Sequence, residues 1–267
     1  MSHWDFARSE PVEAYFHVIA GSVKIIAAPT ETITVDLEPC RPGRHDQELI
    51  DRFTVELVED RLEVSEPSDQ TSWLRHSSGF DLTVTVPTGS CCLVSTVSAS
   101  LECTGELGAL DAKTASGSLE AATVAGPAIL NTVSGRVTVR DVAESVTAKT
   151  ASGRVELGRV GGDIHVGTVS GRVDIGVAEA SVTAQTATGR VQIDRLIAGT
   201  AEISTVSGSI EASVTPGAGI YLDLSSISGR VTSDLEPSQD QGEIDLSLKC
   251  RSASGSIRVG RAALADA

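Results

Sequence analysis

Aromatic side chains are scarce in this chain, 3% of 267 residues, and there is a single methionine, so any core has to be filled by Val, Ile, Leu and Ala. Those small aliphatics, together with 25 glycines, suit many short strands separated by turns. Basic residues are under-represented as well: 21 Lys and Arg stand against 36 Asp and Glu, a formal charge of −15. Such a molecule repels phosphate backbones and anionic lipid instead of gaining affinity by releasing their counterions, which argues against nucleic acid as a partner. No run of about 18 apolar residues occurs, and residues 1–11 have no apolar segment behind a basic start. No membrane span or export signal is therefore expected, and the cytoplasm is the expected location, with an association with the envelope left open.

Motifs that carry chemistry are missing too. The cysteines, Cys40, Cys91, Cys92, Cys103 and Cys250, are odd in number, two are adjacent, and none forms a C-x-x-C pair. They read as reduced, partly buried thiols rather than a disulfide framework or a zinc site. His3, His17, His45, His76 and His165 are dispersed, with no H-x-x-x-H arrangement. No phosphate-binding loop is present, so no metal, nucleotide or other cofactor is expected.

What the sequence does have is a repeat. The phrase Thr, Ala or Val, Ser, Gly, Arg or Ser, aliphatic begins at Thr114, Thr132, Thr150 and Thr168, continues as TATGRV from Thr186 and TVSGSI from Thr205, and has a degraded first copy from Thr96. From Thr96 to Thr186 every start is 18 residues after the last; the later steps grow to 19, 21 and 26, ending at Ser226 and Ser252. Growth confined to the later steps is what loops added at one edge of a regular coil would give. Between phrases the period is two, as in Arg154, Val155, Glu156, Leu157 and Arg172, Val173, Asp174, Ile175, the mark of half-buried strands. A second short strand, such as 163–166 or 201–203, completes each unit. At about 3.3 Å per residue, 18 residues make one closed coil of a solenoid whose rungs stack about 4.8 Å apart, whereas a propeller blade needs about 40 residues. The position after Thr alternates between large and small, Val97, Ala115, Val133, Ala151, Val169, Ala187 and Val206. This is expected either as packing between neighbouring rungs in the interior or as the sign of a 36-residue coil of two half-turns.

The repeated positions fall into structural classes. Gly117, Gly135, Gly153, Gly171, Gly189 and Gly208 are expected where the backbone must bend or approach another chain segment closely. Thr114, Thr132, Thr150, Thr168, Thr186 and Thr205, with Ser116, Ser134, Ser152, Ser170 and Ser207 two residues on, are expected on one face, building hydroxyl ladders. A serine that recurs in every repeat serves geometry, not nucleophilic catalysis. The acids Glu120, Glu156, Asp174 and Glu211 are repeat positions in the same way.

Residues 1–90 lack the phrase but carry alternating patterns at 22–27, 32–37, 53–58, 61–65 and 80–86, with a hairpin at Glu59-Asp60 and loops at 38–48 and 66–79. They are expected to cap the first coil of a repeat region spanning 91–260, with 261–267 as a tail, because an uncovered rung recruits other chains. With its alternating strands, the LTVTVP phrase at 82–87 and the iterated T-x-S-G words, the sequence resembles the DUF4097 family, bacterial β-strand repeat proteins of unknown function often called adhesin-like. The resemblance covers nearly the whole chain; the Arg after several Ser-Gly words departs from it. It implies an all-β, right-handed parallel β-solenoid (a β-helix) and an association with adhesion or the envelope, and it carries over no catalytic residue.

One row has chemical content. Arg136, Arg154, Arg172 and Arg190 recur every 18 residues and would stack on successive rungs about 4.8 Å apart. At that spacing they repel by on the order of 1 to 3 kcal/mol before screening, so Glu156 and Asp174 are the expected partners in a solvated stripe. Alternatively the guanidinium forks form a linear strip for anions, such as an acidic polymer or protein segment. The expected function is a non-enzymatic scaffold or interaction protein with a protein partner or self-association. Alternatives are a self-assembling filament and, with fold analogy as its only warrant, a polysaccharide-active enzyme.

Overall fold

The computed structural model describes residues 2–41, 48, 50–67, 79–217, 219–235 and 245–262. The protein is all-β. It divides into two compact units, Met1–Gly135 and Arg136–Ala267.

In the first unit, β1 (Ser2–Ala7) to β11 (Leu119–Val124) are joined mostly by parallel pairing. β8 (Cys91–Thr96) and β9 (Ser100–Leu107) lie alongside β10 (Ala109–Thr114) and β11, with Cys92 opposite Leu110 and Leu101 opposite Leu119. On their other side they pair with β2 (Glu13–Val18) and β3 (Gly21–Ala28), Ala14 meeting Cys92 and Ile25 meeting Cys103. β2 and β3 then pair with β6 (Arg61–Ser65) and β7 (Phe80–Pro87). An early segment of the chain thus lies between two later ones. Its alternation explains why it fits there: Phe16, Val18, Val23 and Ile25 point inward and are buried. Antiparallel strands complete this unit, β5 (Thr54–Val58) on β6, β4 (Thr32–Pro39) on β7, and β1 on β4. The expected strands at 22–27, 32–37, 53–58, 61–65 and 80–86 are all present, and Glu59 turns the expected hairpin with a φ of 54°. The expected loops at 38–48 and 66–79 fall largely outside the described residues. β1 and β2 were not anticipated from the sequence.

β12 (Ala128–Val142) carries the boundary between the units. In the second unit β13 (Val146–Val160), β14 (Ile164–Ala178), β15 (Val182–Leu196) and β16 (Gly199–Val214) stack in parallel, each holding both short strands of one repeat in a single long element. Val146 pairs with Ile164, Val155 with Val173 and Val173 with Val191, so the register follows the repeat. These inward positions form the core: Val146, Val155, Ile164, Val182, Val191 and Ile210 are all fully buried. At roughly 1.5 to 3 kcal/mol for each large aliphatic removed from water, the stacked interior is the main stabilising term.

The later repeats depart from the expected edge loops. β16 pairs not with β17 (Ile220–Ser226) and β18 (Val231–Ser233) but with β19 (Leu246–Ser254) and β20 (Ile257–Arg261). β17 and β18 pair with the far sides of β19 and β20. The lengthened steps to Ser226 and Ser252 therefore reflect a change in the order of stacking: the last strands of the chain slot in beside β16, and β17 and β18 lie outside them.

Candidate interaction surface

Each repeat phrase makes a corner. The Thr side chain points inward, the next two residues point out, Gly allows the close approach, and Arg points out again before the inward aliphatic. At Gly171 an added Cβ would lie 2.1 Å from the Gly153 carbonyl oxygen of the preceding repeat, and at Gly208 it would lie 1.8 Å from that of Gly189. No other residue fits so near a neighbouring backbone. The same tightness recurs at Gly117, beside the Ala99 carbonyl, and at Gly135, beside that of Gly117.

The expected hydroxyl ladder on a common face is not formed. Thr132, Thr150, Thr168, Thr186 and Thr205 are 6 to 8% exposed, while Ser134, Ser152, Ser170 and Ser207 lie exposed outside the corner. The bend at the corner reverses the simple alternation that placed Thr and Ser together. The Thr hydroxyls are buried without a hydrogen-bond partner. Thr114 differs, its Oγ1 accepting the Gly117 N–H at 3.0 Å.

The alternating large and small position also lies outside, not in the interior. Val133, Val169 and Val206 are 58, 60 and 62% exposed. The pairing of Thr168 with Thr186, Thr186 with Thr205, Thr205 with Ser252 and Ser252 with Ser226 lines up Val169, Ala187, Val206, Ala253 and Ile227 along one corner. Large and small alternate in spatial order even where chain order breaks. The result is an exposed apolar ridge that sequence reasoning missed; the surface location had no signal beyond the turn character of the phrase. At its end, Val206, Ile227, Ser225, Arg251 and Ala253 line a shallow depression of about 310 Å³.

Beside the ridge runs the arginine row. Arg154 is in register with Arg172, and Arg172 with Arg190. Next in line is Ser209. Arg136, Arg172 and Arg190 are exposed. Arg154 Nη1 donates to Glu156 Oε1 at 3.1 Å, and Thr138 Oγ1 donates to Glu156 Oε2 at 3.2 Å. Among the described residues Arg136, Arg172 and Arg190 make no ion pair within 4 Å. Burial raises the Asp174 carboxyl above its usual range, and the nearby charges of Arg172 and Arg154 only partly offset this.

The Toastrack DUF4097 family model matches residues 17–260. The chain belongs to this family. No curated protein matches it. Among solved structures it is similar to a putative lipid binding protein from Parabacteroides distasonis ATCC 8503, at 15% identity and a TM-score of 0.43 over 97% of this chain and 96% of that one. It is also similar to a putative adhesin from Bacteroides fragilis NCTC 9343, at 12% identity and a TM-score of 0.42 over 97% and 96% of the two chains. A third, a putative adhesin from Parabacteroides merdae ATCC 43184, has 10% identity and a TM-score of 0.39 over 97% and 95%. Toastrack is a β-solenoid-like fold.

Elsewhere in this Toastrack protein the titratable groups serve local structure. His3 Nδ1 lies 2.6 Å from Asp36 Oδ1 and its Nε2 lies 2.9 Å from Asp5 Oδ1, which raises the imidazole pKa. His45 and His76 lie outside the described residues. The cysteines are unpaired, and burial pushes the Cys103 and Cys250 thiols up to about 12, far from a reactive thiolate. Among the described residues no group of three or more His, Cys, Asp or Glu is placed to hold a metal ion. Among them, too, no helix is long and apolar enough to cross a membrane.

Proposed function

We propose that this Toastrack protein is a non-enzymatic interaction scaffold, and that Arg136, Arg154, Arg172 and Arg190 recognise an extended anionic partner. The register carries the reading: Arg154, Arg172 and Arg190 repeat on adjacent strands of the outer surface, and of these three arginines Glu156 engages only Arg154. Guanidinium groups about 4.8 Å apart repel one another, and a bound row of carboxylates or sulfates relieves that repulsion through forked, charge-assisted hydrogen bonds. The apolar ridge alongside gives a partner a surface to cover. A serine that recurs in every repeat serves geometry instead of acting as one activated nucleophile, which suits a binding role.

We also infer the winding. Residues 91–260 form right-handed coils of about 18 residues, a length supported by the pairing of each position with its counterpart one repeat on; the hand follows from the strong preference of parallel crossover connections. Residues 1–90 serve as the N-terminal cap, with β2 and β3 adding a coil beneath antiparallel β1, β4 and β5; the tail expected from residue 261 starts later, because Arg261 pairs with Val214 as the last residue of β20 and the Ala262 N–H donates to the Val214 carbonyl. Unpaired thiols suit a reducing compartment, which favours the cytoplasm.

The test is titration of a sulfated polysaccharide and of polyglutamate into the wild type and the Arg172→Ala/Arg190→Ala variant. Binding of at least one polymer by the wild type, weakening with salt and about tenfold weaker in the variant, is expected. Wild-type protein that binds neither polymer, or a variant that binds as well as wild type, rules the reading out.

A further inference from the structure

In the second unit the outermost strands, β17 and β18, are covered on one side only. β17 pairs with β19 and β18 with β20, and among the described residues nothing pairs with their outer edges. The core-facing side chains register this. Ile220, Leu222 and Leu224 are only half-buried and Val231 is 39% exposed. Their neighbours one strand inward, Leu246, Leu248, Cys250 and Ile257, are at 1% or less. A strand edge with unpaired backbone groups and uncovered apolar side chains is a template for another strand. The sequence next to these strands is poor in large apolar side chains: residues 236–244 include one aliphatic, Ile244, and residues 263–267 one, Leu264, apart from alanines.

We propose that the outer edge of β17 and β18 joins the same edge of a second copy of this chain about a two-fold axis. The charge pattern of β18 is self-complementary. The Ile257 N–H donates to the Arg230 carbonyl and the Asp234 N–H donates to the Val259 carbonyl, both at 2.9 Å, so the backbone groups of Arg230 and Asp234 that make these bonds face β20. By the alternation of a strand, those of Val231 and Ser233 face the open edge. Antiparallel pairing centred on Thr232 sets Val231 against Ser233 of the second copy as reciprocal hydrogen-bonded pairs. The same register sets Arg230 against Asp234 of the second copy, and the reverse, at the non-hydrogen-bonded positions where side chains approach most closely. Both residues are exposed, and neither has an ion-pair partner among the described residues. An interface whose charges match themselves about an axis is isologous, and it closes at two chains instead of growing into a filament.

Sedimentation velocity on the full chain from about 1 to 100 µM tests this. The wild type is expected to shift from one chain to two. Arg230→Asp or Asp234→Arg alone places like charges opposite each other twice and weakens the dimer by about tenfold or more. The combined Arg230→Asp/Asp234→Arg variant restores complementarity and the dimer. A wild type that stays monomeric, assembly beyond two chains, single variants that dimerise as before, or a combined variant that fails to recover would each overturn the proposal.

Discussion

Thr205 pairs with Ser252, although Ser226 comes first along the chain and ends up on the far side of Ser252. The neighbouring corner residues follow suit, so Val206 stands beside Ala253 and one strand further from Ile227. Parallel neighbours are about 4.8 Å apart and next-nearest strands about twice that, while a disulfide needs Cα atoms within about 7 Å. Cysteines at Val206 and Ala253 are therefore expected to cross-link on mild oxidation, and cysteines at Val206 and Ile227 are not. Mass spectrometry of the oxidised peptides decides the order. A bond from position 206 to 227 would mean that the strands stack in chain order.

The repeat itself was plain in the sequence because every unit meets the same physical demand. An inward aliphatic at Val155, Val173 or Val191 recurs wherever the core needs filling, and Gly171 or Gly208 recurs wherever one backbone crosses close to another. Most strands outside the phrase were legible for the same reason, since their period-two pattern reports a single buried face. The order of stacking was not legible. Ile203 accepts Cys250 as a neighbour as readily as it would accept Leu224, since both offer an inward apolar side chain at equivalent positions. Nor did alternation of size reveal its side of the sheet: Val169 beside Ala187 fits an interior position and an exposed corner equally well. The arginine row was found from spacing alone, while its ion pairing depended on rotamers that spacing does not determine.

The buried threonines separate the role of the hydroxyl from that of the methyl. Thr168 Oγ1 is buried without a partner, whereas Thr114 Oγ1 accepts the N–H of buried Gly117 at 3.0 Å. Replacing Thr168 by Val keeps the shape and removes an unpaired polar atom, so stability is expected to be unchanged or to rise by up to about 1 kcal/mol. Replacing Thr114 by Val strands the Gly117 N–H and is expected to cost about 1 to 3 kcal/mol. Urea unfolding of both variants measures the contrast. Equal losses at the two sites would show that the Thr168 hydroxyl is satisfied in solution.

His3 makes the hold of the first strand depend on pH. It lies opposite Asp36 in the antiparallel pairing of β1 with β4, and the hydrogen bond to Asp36, then that to Asp5, raises its pKa above the ordinary value of 6.5. Protonated, the ring donates from both nitrogens to the two carboxylates; neutral, it keeps one N–H and can donate to only one of them. Because the folded-state pKa is the higher one, the stabilisation is fully present below about 6.5, the unfolded value, and is lost as the pH rises through the folded value. Amide exchange in Ser2–Ala7, corrected for the intrinsic effect of pH, is therefore expected to be better protected at the acid end of that window, and the imidazole proton resonances to titrate above 6.5. Asp36→Asn is expected to lower the midpoint more than Asp5→Asn does, since Asp36 is the larger cause of the shift. A midpoint at or below 6.5 in the wild type would mean that His3 does not bridge the two carboxylates.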